Sequence, residues 1–182
     1  DSGNEMQDTA SYQPKLVAGG DLITSGGKPA WEHAIASRLL ITALDWIDPL
    51  DAWFVHDTSD TTFLYPSSLA SGGTYGIVAG DGSASQTSAA YGSAELEVNG
   101  VNISPSDRDD VHDAVTGRKL VYHRSAATTG WTGGMYMGSY MGETSSTFNY
   151  VGKFSEWIWY DSDQHANQAG IESNINTHYS IY

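Results

Sequence analysis

Three aromatic residues in one glycine-rich stretch, Trp131, Tyr136 and Tyr140, are of the kind that recognises sugars. A sugar ring presents an apolar C–H face that stacks on Trp or Tyr, while carboxylates and amides take its hydroxyls. The same side chains serve equally as core, rim or subunit contact, so the spacing alone leaves both uses open. A second constellation is His56-Asp57-Thr58-Ser59-Asp60, read as a polar loop in which Asp57 and Asp60 offer oxygen ligands. Oxygen donors in a loop suit Ca²⁺, although the spacing matches no EF-hand and a plain polar turn is the simpler reading.

Catalytic signals are weaker. Glycoside hydrolysis needs two carboxylates about 5–10 Å apart. Glu95 and Glu97 alternate and therefore share one face of a strand, but they flank an ordinary hairpin and are expected to face solvent. Glu156 is a single acid in a strong strand and is expected to be structural. The six histidines, at 33, 56, 112, 123, 165 and 178, show none of the close pairing of a zinc site. No Gly-x-Ser-x-Gly elbow or phosphate-binding loop occurs. The expectation is a binding module and not an enzyme, with glycoside hydrolysis as the remote alternative.

The elements that must position these residues are mostly strands. Lys15–Ala18 closes on Gly19-Gly20, and Leu22–Thr24 runs into Ser25-Gly26-Gly27. Leu39–Ile41, Ala52–Val55, Thr61–Tyr65 and Tyr75–Val78 are apolar runs of strand length between turn residues. The stretch 80–93 reads as a long loop or a weak edge. Glu95 to Ile103 alternates with period two on both sides of Asn99-Gly100, the dipeptide that supplies the positive φ of a tight hairpin turn. Ser106 to Val115 reads as a short helix, with Ser106 as its cap, acids in its first turn and Gly117 as its stop. Leu120–His123 returns to strand, and Tyr150–Tyr160 is the strongest strand, expected to be central, with Trp157 and Trp159 filling the core. In the tail, Ser162 or Asp163 can cap a helix that places Ile171, Ile175 and Tyr179 on one stripe. Regularly spaced short strands with marginal helices predict an all-β sandwich in one domain over 1–182.

Composition narrows the partners. Eight Lys+Arg against 22 Asp+Glu give a formal charge of −14, which repels nucleic acid and anionic membrane faces at long range. The chain has no cysteine, so no disulfide or thiolate chemistry is expected. No apolar run is long enough to span a bilayer.

Gly152 to Asp163 resembles the late strand of concanavalin A-like and laminin G-like jelly rolls, with Ser155 where that pattern has its first acid. Asp161 to Tyr182 is similar to a C-terminal helix of one branch, the lectin/glucanase-like domains of phage virion proteins and bacterial surface proteins. Asp1–Asn4 and Ala10–Val17 resemble that branch's opening, and Gly26–Ala30 resembles its Asn-Gly-Lys-Pro-Ala step. With Asp107–Gly117, these matches span most of the chain, and the start at Asp1 falls inside a motif, which implies a larger parent protein. The resemblance implies a two-sheet antiparallel jelly-roll sandwich with short marginal helices and a C-terminal helix. It implies a carbohydrate-binding module on a virion or cell surface that attaches to host glycans. Its partners would be a glycan or cell-surface polysaccharide, other virion subunits and further copies of the chain as a homo-oligomer. A purely structural decoration domain is the alternative. Two departures stand out. The branch's acid-rich segment after Gly-Lys-Pro-Ala reads Trp31-Glu32-His33-Ala34-Ile35-Ala36-Ser37-Arg38 here, leaving Glu32 as its sole acid, and the Glu-x-Asp-x-Glu motif of related glucanases is absent.

Overall fold

The computed structural model describes residues 5–6, 13–34, 39–41, 51–58, 67–69, 93–106, 108–125, 135–137, 150–160 and 162–182. The first strands are β1 (Glu5–Met6), β2 (Val17–Ala18), β3 (Asp21–Leu22), β4 (Thr24–Ser25), β5 (Lys28–Pro29), β6 (Trp31–His33) and β7 (Leu39–Ile41). There follow β8 (Asp51–Thr58), β9 (Ser67–Leu69), β10 (Ser93–Val98), β11 (Val101–Asn102), α1 (Arg108–Val115), β12 (Gly117–Ser125), β13 (Met135–Met137), β14 (Gly152–Tyr160) and α2 (Gln168–Tyr179). The described chain is thus mostly strands, with two short α-helices and a 3₁₀ turn at His165–Asn167 leading into α2. None of the described helices is long and apolar enough to cross a membrane.

The strands pair antiparallel throughout. Six form one sheet in the order β11-β10-β12-β8-β14-β6, four form another in the order β1-β7-β13-β9, and β2–β3 and β4–β5 are two-stranded ribbons. The turns follow from local chemistry. Asn99 and Gly100 both take positive φ, and Asn99 Oδ1 accepts the Leu120 N–H at 3.0 Å, tying the β10–β11 turn to β12. At α1, the Asp110 carboxylate accepts the Ser106 backbone N–H at 2.8 Å, the reach-back half of a capping arrangement. Gly117, at φ 89, ends the helix as its position predicts. The segment 22–25 is divided between the two ribbons, and the expected strands at 61–65 and 75–78 lie outside the described residues.

β8 explains why a strand can read as an unbroken apolar run. It lies between β12 and β14, and both of its faces are covered. One face carries Ala52, Phe54 and His56 and packs with Leu96, Val121, Phe154, Trp157 and with Val111 and Val115 of α1. The other carries Trp53 and Val55 and packs with Leu120, Tyr122 and, from α2, Ile175 and Tyr179. Trp53 and Phe54, adjacent in sequence, are both fully buried on opposite faces. Burial of each such side chain contributes roughly 1.5–3 kcal/mol.

β14 holds an aromatic row on the α1 face only because it carries a bulge. Its register against β8 shifts between Phe154 and Glu156, leaving Ser155 as the extra residue. Phe154 and Trp157, three apart, therefore point the same way. Trp157 stacks on Phe54 at 4.9 Å between ring centroids and meets Phe154 edge-on at 5.2 Å. Trp157 is buried, and Trp159 is half-buried against the same cluster, as expected of core residues.

Two charged rows bracket the apolar centre of the α2 face. At one end Glu95, Arg124 and Asp51 stand opposite one another across β10, β12 and β8. The fully buried Asp51 accepts the Tyr122 hydroxyl at 2.9 Å and the Gln164 N–H, and Arg124 Nε lies 3.8 Å from it. Arg124 also reaches Asp163 at 2.9 Å, and His165 Nδ1 sits 3.2 Å from Glu95. Asp163 Oδ1 accepts the His165 N–H at 2.9 Å just ahead of the 3₁₀ turn, but that turn begins after Gln164 and α2 after Asn167, each without a side-chain cap, so neither Ser162 nor Asp163 caps α2. At the other end Arg118 donates to the carbonyls of Tyr179 and Ser180, at 2.7 and 3.2 Å. A cation on the last carbonyls of a helix suits its dipole, so the rows fix the direction in which α2 lies.

Candidate functional site: a groove beside an alternating charge row

An open groove of about 440 Å³ lies where β6, β8 and β14 come together, lined by Glu32, His33, Ala34, Asp57, Val151, Gly152 and Lys153. Its floor is a consequence of register. Arg118 of β12 is opposite Asp57 of β8, Asp57 is opposite Lys153 of β14, and Lys153 is opposite Glu32 of β6. An isolated antiparallel bridge then pairs Glu32 with Lys15, through backbone hydrogen bonds of 2.9 and 2.8 Å. Directly opposed residues of antiparallel strands project from the same face, roughly 4.8 Å from one strand to the next. The row therefore reads base, acid, base, acid, base across the sheet. It gathers three of the chain's eight Lys and Arg residues.

Neighbouring elements hold these side chains in place. Ser25, buried on β4, donates its hydroxyl to Asp57 Oδ2 at 2.9 Å. Lys153 Nζ donates to the Thr24 carbonyl at 3.0 Å. The β4–β5 ribbon thus clips onto both the acid and the base at the centre of the row. Gly152 lets the strands close there, because a Cβ at this position would lie 2.6 Å from the Asp57 carbonyl oxygen and 2.7 Å from the Tyr150 hydroxyl.

Behind the row, on the α1 face, the groove is backed by buried rings. His33 meets Phe154 edge-on at 5.4 Å and Tyr150 at 6.1 Å, and His56 Nδ1 lies 3.2 Å from the Tyr150 hydroxyl. Burial holds the His56 imidazolium far from favourable and lowers its pKa to about 3, so this ring is neutral.

The structure corrects two expectations. His56, Asp57 and Thr58 do not lie in a loop: they end β8, because the apolar run before them continues into a strand paired on both sides. His56 points into the core, and only Asp57 faces the groove. Glu95 and Glu97 do share a face, yet that face is not solvent. Both are half-buried, Glu95 against His165 and Asn102 and Glu97 toward Glu172 of α2. Glu156 accepts the Tyr179 hydroxyl at 3.1 Å, a structural role.

Of the residues singled out for sugar stacking, Trp131 and Tyr140 lie outside the described residues. Tyr136 lies in β13, paired with Leu40 and Ser68 in the four-stranded sheet. Asp60 also lies outside the described residues. Asp57 alone offers a cation one carboxylate, standing between Arg118 and Lys153, two cations that oppose a divalent ion. Among the described residues no group of three or more His, Asp or Glu side chains is gathered to hold a metal. Lys15, Glu32, Arg118 and Lys153 were not anticipated as one group, since residues so far apart in sequence leave no local pattern. No protein-family model, curated protein or solved structure matches the chain.

Proposed function

We propose that this chain is a carbohydrate-recognition module on a two-sheet jelly-roll sandwich, displayed on a virion or cell surface and engaging host glycans through the groove beside β6, β8 and β14. The observation that carries the reading is the alternating row of Asp57, Lys153 and Glu32 along an open groove. A sugar hydroxyl both donates and accepts, so alternating carboxylates and ammonium groups can satisfy a run of hydroxyls. The six- and four-stranded antiparallel sheets are the parts such a sandwich needs. The formal charge of −14 favours neutral or amino sugars over acidic ones. Trp131, Tyr136 and Tyr140 supply a stacking platform in this reading, and Ca²⁺ is the metal to test.

A glycan array with Ca²⁺ and again with chelator tests this, using the wild type, the Glu32→Gln/Asp57→Asn double variant and Trp131→Ala. Selective binding that falls at least tenfold in the double variant supports the groove. Loss only in Trp131→Ala moves the site to the glycine-rich stretch, and chelator sensitivity brings in a metal. No selective binding by the wild type in either buffer overturns the reading. A second reading, an assembly or decoration domain without ligand, is favoured by Val17 and Leu22 of the β2–β3 ribbon and Leu16 just before it, each more than half exposed. It predicts a stable oligomer by light scattering that Leu16→Asp/Leu22→Asp dissociates.

A further inference from the structure

The buried stripe of α2 is unusual in its chemistry. Its inward residues are Gln168, Glu172, Ile175 and Tyr179, so half of the docking surface is polar. Glu172 is only 6% exposed, and its Oε1 has no hydrogen-bond partner. The indole N–H of fully buried Trp53 on β8 and the Gln168 amide point at the Glu172 carboxyl and partly offset the cost of its charge. The groups that face Glu172 are Gln168 on its own helix, Trp53 below it, Glu97 across on β10, and Tyr182 beyond the helix end. Tyr122 of β12 stacks on Trp53 at 4.7 Å and stands opposite Glu97. The formal charges at the helix ends are committed elsewhere: Arg124 to Asp51 and Asp163, His165 to Glu95, Arg118 to the last carbonyls, and Glu156 to Tyr179.

We propose that α2 is a proton-latched cover: one proton held between Glu172 and Glu97 keeps the helix docked, and its loss weakens docking and uncovers Trp53, Val55, Leu120 and Tyr122. Two carboxylates facing each other at a buried interface cannot both ionise without mutual repulsion and lost hydration. A carboxylic acid there instead donates one hydrogen bond and accepts another, which removes the repulsion and uses the unpartnered Oε1. Burial first, then the Glu97 charge, push the Glu172 carboxyl up to about 7, which places the transition near neutrality. The sign follows from linkage. Docked α2 binds a proton that free α2 has released between pH 4.5, the ordinary value, and about 7, so docking weakens as pH rises through that window. The effect reaches its full size above it.

Amide hydrogen exchange of the full chain between pH 5.5 and 8.5, corrected for intrinsic rates, reads this directly. Protection over residues 168–179 is expected to fall tenfold or more across that range, while the centres of β8 and β12 change far less. Glu172→Gln keeps the neutral shape and is expected to hold high protection at every pH. Glu97→Gln removes the repulsion and is expected to shift the wild-type midpoint to lower pH. Protection in the wild type that does not vary with pH, or a pH dependence that survives unchanged in both variants, overturns the proposal. Carboxyl carbon NMR of Glu172 provides a second readout, and a midpoint near the ordinary carboxylate range overturns it as well.

Discussion

Asp51 is the most informative residue to remove, because the structure fixes what its absence leaves behind. Asp51→Ala deprives the Tyr122 hydroxyl, the Gln164 N–H and the Arg124 guanidinium of one shared acceptor. A hydrogen bond to a charged group contributes about 1.5–3 kcal/mol, and a buried donor left unpaired costs about 1–3 kcal/mol. Arg124 retains Asp163 and its side chain is 22% exposed, so water compensates part of its loss. The Tyr122 and Gln164 donors are not so favoured, and the expected destabilisation is about 3–5 kcal/mol, the range for breaking a buried charged pair. Tyr122→Phe should remove about 1–2 kcal/mol by itself. The Asp51→Ala/Tyr122→Phe double variant should fall short of additivity by at least 1 kcal/mol, because the two share one bond. Urea unfolding followed by tryptophan fluorescence is the assay, since Trp53 stacks on Tyr122 and reports on this face. With an m-value of about 2 kcal/mol/M, the Asp51→Ala midpoint should drop by about 2 M. A drop below about 0.5 M, or full additivity of the two substitutions, would refute the view that this carboxylate anchors the C-terminal segment.

The buried neutral His56 predicts acid lability. Its ordinary pKa of 6.5 is lowered to about 3 in the fold, so the unfolded chain binds a proton that the folded one refuses, and stability falls as pH drops from 6.5 toward 3. Unfolding midpoints measured across that range should decline in the wild type and decline less in a folded His56→Asn variant. Gly152→Ala places a methyl group against the Asp57 carbonyl and the Tyr150 hydroxyl, and should lower stability by about 1–3 kcal/mol in thermal or urea melts while weakening glycan binding at the adjoining groove.

What the sequence by itself determined here is what depends on neighbours along the chain. Asn99-Gly100 demanded a tight turn because few other dipeptides accept positive φ, and the turn is there. Gly117 ended a helix, since its positive φ is a matter of the next few backbone groups. The β-richness of the described residues, and a long strand within Tyr150–Tyr160, followed from apolar runs between turn residues, but the centre of the sheet belongs to β12 and β8, and β14 lies next to the edge strand β6. Tertiary structure decided everything that depends on which strand lies beside which. Asp57 changed from a loop residue to a strand residue because β12 and β14 flank it. Glu97 is half-buried on the face that α2 packs against, opposite Tyr122, and no alternation within 93–98 encodes a helix from the far end of the chain. Ile175 and Tyr179 were legible as a stripe, but Glu172 was not, since a carboxyl on a buried helix face breaks the pattern that reveals such faces. The charge row joins residues 15, 32, 57, 118 and 153, and only the registers of four strands and one bridge bring them into line. Local propensity acts over a few residues, whereas register is set by packing across the whole sheet.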